Sequence, residues 1–135
     1  MITTYLQLPK YNWRLTLFYN IRPKDLSTVL TDLWELGCAN SSIKTVAITL
    51  LDHNTGFTYT VGNYSIMGIG ISDSKAESIN TLVHEIKHLQ SDICNYYSIS
   101  HSDELAAIIA GDIAMEIYYN LNPKILWQEV KMPLL

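Results

Sequence analysis

Apolar positions follow two rhythms along the chain, and the change from one to the other divides it. Residues 11–21 (YNWRLTLFYNI) are dense in aromatic and branched side chains and predict a strand, which Pro23 ends. Residues 24–36 carry apolar side chains at Leu26, Val29, Leu30, Leu33 and Trp34, the period of a helix, and Gly37 stops it. Residues 43–51 (IKTVAITLL) read as a strand, 52–56 (DHNTG) as a turn, 57–61 (FTYTV) as the returning strand of a hairpin, and 64–72 (YSIMGIGIS) as a third strand after a turn at Gly62 and Asn63. From Asp73 the rhythm is helical. Residues 73–97 predict a long helix capped by Asp73 or Ser74 with Glu77 in its first turn. A polar break at 98–102 follows, then a very apolar helix over 103–120 ended by Asn122 and Pro123, and a last short helix over 124–130.

Strands grouped ahead of the final helices predict an α+β fold, with helices packed on one face of a small, twisted, mixed sheet of about four strands. There is no repeat or low-complexity linker, and 135 residues suit a single domain over 1–135. Hydrophobic residues make up 48% of the chain and charged ones only 16%, which allows a sizeable core under a largely neutral polar surface. A net charge of −4 with no Lys/Arg cluster argues against nucleic acid as a partner. No apolar run is long enough to span a bilayer, and the opening residues lack the basic and apolar regions of a secretory signal, so the expected compartment is the cytoplasm. Cys38 and Cys94 fit none of the zinc-finger spacings and are expected to be buried free thiols.

The chemistry is concentrated in His84-Glu85-Ile86-Lys87-His88. Histidines at i and i+4 stand one above the other on a helix, so their ring nitrogens can converge on one ion, while Glu85, about 100° round, can reach a water bound to that ion rather than the ion itself. Ile79, Leu82, Ile86, Leu89 and Ile93 form an apolar stripe at roughly 140–220° from His84, and the two histidines lie at about 0–40°. The pair therefore faces away from the sheet, as a plain solvent-exposed pair would also do. Zinc would need a third donor. Glu104, at the start of a helix apolar nearly all round and hence expected to be buried, is the first candidate, with Ala107 and Gly111 beside it to permit close approach. The competitors are His101 and Asp103, and Glu104 has a simpler reading as an acidic residue favoured at a helix N-terminus. His101 is also a candidate proton donor or substrate contact, and His101, Tyr96 and Tyr97 are the candidates for the second donor that the oxyanion of peptide hydrolysis needs. Asp92 could support His88 from four residues on. Asp112 reads as bonding elsewhere, and His53 as a surface loop residue.

HEIKH followed by ELAA resembles the gluzincin metallopeptidases, whose pattern is HExxH with a downstream Glu, often as ExxA. The matching residues are His84, Glu85, His88, Glu104 and Ala107. The resemblance implies a zincin-like fold, Zn2+ held by His84, His88 and Glu104, a water activated by Glu85, and a protein or peptide substrate paired to an edge strand, a place that residues 64–72 would fill. Small intracellular members of the ImmA/IrrE type are the nearest in size. Ile108 stands where the thermolysin-like branch has an Asp that orients a histidine. The expected function is a zinc-dependent peptidase. The alternatives are a zinc-binding domain that acts by protein interaction without cleaving, and a structural protein without metal.

Overall fold

Strand β2 (Trp13–Ile21) is buried at nearly every position. Trp13, Leu15, Leu17 and Tyr19 belong to one apolar cluster, and Phe18 and Ile21 to another. A strand buried on both faces requires a cover on each, and the computed structural model, which describes residues 1–121, supplies both. Helices α3 (Lys75–Tyr97) and α4 (Glu104–Asn120) cover the first face through Leu82, Ile86, Leu89 and Ile93 and through Ala106, Ile109, Ile113 and Ile117. Helix α1 (Leu26–Glu35) covers the second with Val29 and Leu33, and α2 (Asn40–Thr49) adds Ile43 and Val46.

The sheet has four strands in the order β1-β2-β4-β3, where β1 is Ile2–Leu8, β3 is Gly56–Val61 and β4 is Tyr64–Gly70. β2 and β4 are parallel, while β1 pairs antiparallel with β2 and β3 with β4. This mixed sheet with four helices is the α+β class that the sequence predicts. No helix among the described residues is long and apolar enough to cross a membrane. Cys38 and Cys94 are both buried and free.

Several expectations are corrected. The helices lie on both faces of the sheet, not one. Residues 43–51 are mostly α2 rather than a strand: Ile43, Val46 and Leu50 are spaced for one helix face, and Thr45 Oγ1 donates to Ser41 O one turn back. The fourth strand is instead β1, whose alternating burial ends at the buried Leu6 and Leu8. Residues 64–70 form an interior strand, so β4 is not the edge; among the described residues β1 and β3 are. Helix α4 is not buried all round. Only one stripe is covered, and Leu105, Ile108 and Met115 on its other side are 38%, 41% and 48% exposed. The helix expected over 124–130 lies outside the described residues.

Candidate metal centre

The wheel of α3 sets the site. Leu82, Ile86, Leu89 and Ile93 face the sheet, and the next strip round faces edge strand β3. There Thr58 Oγ1 donates to Glu85 Oε1 at 2.9 Å, and Thr60 Oγ1 donates to Asp92 Oδ2 at 2.6 Å. Gly56 makes this approach possible: a Cβ there would stand 2.7 Å from Gly68 O, 3.0 Å from Glu85 Cγ and 3.1 Å from Thr81 Cγ2. Glu85 is consequently only 3% exposed. Burial pushes its carboxyl above the usual carboxylate range, against the Thr58 hydrogen bond and the neighbouring His88 and His84, which pull it down.

His84 and His88 lie just outside this strip and are exposed. Their Nε2 atoms are 3.1 Å apart and their rings meet edge to face. Two nitrogen ligands at about 2.0–2.1 Å from a tetrahedral zinc stand about 3.3 Å from each other. The two nitrogens therefore stand close to the separation that two ligands of one zinc would have, with a carboxylate from the adjacent position packed below them.

A cleft of about 290 Å³ opens between residues 49–56 and the side chains of Asn80, Thr81, His84 and Glu85. Its loop wall is tied to the start of α3. Asn54, in the left-handed conformation at φ 62°, donates from Nδ2 to Asp73 Oδ2 and accepts the Asp73 backbone N–H on Oδ1, while His53 Nδ1 is 2.7 Å from Asp73 Oδ1. The hydrogen bonds from His53 and Asn54 hold the Asp73 carboxyl below its usual range. Ser74 Oγ then caps α3 by accepting from Glu77 N.

The other predicted site residues are elsewhere. Glu104 opens α4 and is exposed, not buried, and Ala107 and Gly111 are exposed with it. Helix α4 meets α3 through Gln90, whose Nε2 donates to Ala106 O at 2.8 Å, and Gln90 stands about 140° round α3 from Glu85. Among the described residues no group of three or more His, Cys, Asp or Glu is gathered to hold an ion, so Glu104 is not brought to the pair. His101 bonds Asn95 in the turn after α3, Tyr96 packs edge-on against Trp13, and Tyr97 donates to Tyr11 O. Asn95 alone is about 10 Å beyond His88 along the helix, so none of the three lines the cleft. Asp92 is bonded to Thr60 rather than to His88, and Asp112 accepts from Tyr11 and Lys10.

Sequence reasoning missed Gly56, Thr58 and Asn80. The alternation of threonine with aromatic residues in FTYT marks Thr58 and Thr60 as sharing one face, but not what that face meets. Comparison of the chain with protein-family models, with curated proteins and with solved structures finds no match.

Proposed function

We propose that the α3–β3 cleft is the active site of a zinc-dependent peptidase with a zincin-like arrangement. The 3.1 Å separation of the His84 and His88 Nε2 atoms beside the buried Glu85 is the observation that carries this reading. The pair fits zinc in donor type and spacing. Glu104 stands apart from the pair in the described structure and is proposed as the third donor on its sequence position alone.

Zinc bound there would supply an acidified water and polarise the scissile carbonyl. The protein does the rest. Thr58 fixes one Glu85 oxygen, and the other makes no hydrogen bond among the described residues. A carboxylate raised above its ordinary range by burial is a better proton acceptor near neutral pH than a solvated one. Glu85 takes a proton from the water as the water oxygen bonds the carbonyl carbon; the C–N bond then breaks, and that proton passes to the amine nitrogen. β3 is a sheet edge beside the cleft, so an extended peptide can add to it as a further strand. This role falls to β3 and not to the interior β4.

The test is a comparison of peptide termini by mass spectrometry after a cellular peptide mixture is incubated with the zinc-loaded chain or with His84→Ala. New termini that appear only with the parent are expected. Identical termini in both would overturn the peptidase reading. For the ligand set, Glu104→Ala is expected to weaken zinc at least about tenfold and Asp103→Ala less than about twofold. Equal effects would remove Glu104 from the set.

A further inference from the structure

We infer that Asn80 is a substrate-contacting catalytic residue of this cleft, donating a side-chain N–H to the carbonyl oxygen of the bond being cleaved. The inference rests on the peptidase reading above. Amide hydrolysis builds negative charge on that oxygen, and a fixed donor aimed at it works best where water is displaced. The residues that the sequence suggests for this role, His101, Tyr96 and Tyr97, are engaged beyond the far end of the cleft.

Within the cleft most donors are committed. Thr81 Oγ1 donates to Glu77 O, and Thr55 Oγ1 to Thr49 O and Asp52 O. The Asn54 amide is spent on Asp73, and the Thr58 hydroxyl on Glu85. The Asn80 amide makes no hydrogen bond among the described residues, and it is exposed at the cleft wall. Thr49 is also uncommitted, but it belongs to α2 and not to the helix that bears the histidines.

Position supports the assignment as well as availability. Asn80 precedes His84 by four residues, as His84 precedes His88, so the three side chains form one ridge on successive turns, with Cβ atoms about 5–6 Å apart. The amide is neutral, donates two N–H groups, and neither competes for a cation as a carboxylate would nor acts as a base. Asparagine is also a poor helix former at an exposed mid-helix position, so helix stability does not account for it.

The experiment uses the zinc-loaded full chain and a phosphinic tetra-alanine, in which a tetrahedral PO2–CH2 unit replaces the central amide, with binding followed by titration calorimetry. Asn80→Ala is expected to bind this probe at least about thirtyfold more weakly than the parent, with Asn80→Gln regaining part of the loss. Zinc content should be the same in all three, and neither variant should melt below the parent, since Ala and Gln are both better helix formers than Asn. On a peptide that the parent cleaves, Asn80→Ala should lower kcat by about 10²–10³ with KM nearly unchanged. Equal binding of the probe by parent and Asn80→Ala would overturn the assignment and leave the peptidase reading standing. A parent that neither binds the probe nor cleaves peptides would overturn both.

Discussion

Glu85→Gln is expected to retain zinc and the fold while hydrolysis falls by a factor of about 10² or more. Glutamine has the size of glutamate and can still accept the Thr58 hydrogen bond on its amide oxygen, but it cannot take a proton from water. Glu85 stands away from the converging His84 and His88 nitrogens and against β3, so the change touches the proposed base and not the pair proposed to bind the ion. The same variant has a second readout, in stability. Burial raises the Glu85 carboxyl above its unfolded value in the metal-free chain. Its stabilising contribution is therefore complete below the ordinary carboxylate range and is lost as pH rises through the raised value. The variant escapes that loss. Metal-free Glu85→Gln should melt above the parent at pH 8 and close to it at pH 4, as calorimetric scans would show. An unchanged rate of cleavage would remove Glu85 from the chemistry, and a lower melting temperature at pH 8 would contradict the buried-carboxylate account.

Gly68→Ala is expected to be the most damaging single-methyl change at the sheet, costing about 3 kcal/mol and roughly 10 °C in melting temperature. Gly68 on β4 pairs with Phe57 on β3, and the Phe57 ring lies across the place a side chain would occupy. A Cβ there would be 2.2 Å from Phe57 Cε1 and 2.8 Å from Cδ1. Phe57 is only 8% exposed and packs in the cluster that contains Val29, Leu33 and Leu50, so the ring has no free space to move into. Displacing Phe57 also displaces Thr58 beside it, and with it the donor to Glu85. Urea unfolding of the metal-free chain would measure the loss. A change below about 1 kcal/mol would mean that the ring moves freely and that β3 is less firmly placed than described.

The path from sequence to site was direct where one helix sufficed. In α3 the apolar stripe, the Ser74 cap and the outward-facing histidines all follow from a period of 3.6, and Leu82, Ile86, Leu89 and Ile93 are buried as that period requires. It failed where neighbours decide. The β-branched run in residues 43–51 suits a strand in isolation, but the spacing of Ile43, Val46 and Leu50 suits a helix docked beside α1. β1 carries little sequence signal, because only Leu6 and Leu8 of its seven residues are buried. The strand order, and with it the identity of the edge strand, depends on the parallel pairing of β2 with β4 across more than 40 residues, which leaves no local signature. Glu104 shows a different error. Apolar side chains all round α4 suggested burial on every side, yet one stripe packs and the opposite side, with Leu105 and Ile108, remains exposed. A composition argument for burial does not state which partner provides it.

The central claim is that His84 and His88 form an ion-binding pair, and the most direct measurement of it is zinc per chain by elemental analysis after metal-free purification, zinc addition and removal of excess. About one zinc per chain is expected for the parent and for Glu85→Gln, falling below about a tenth in His84→Ala and His88→Ala. Less than a tenth of an equivalent in the parent, or zinc retained after either histidine is removed, would contradict the claim.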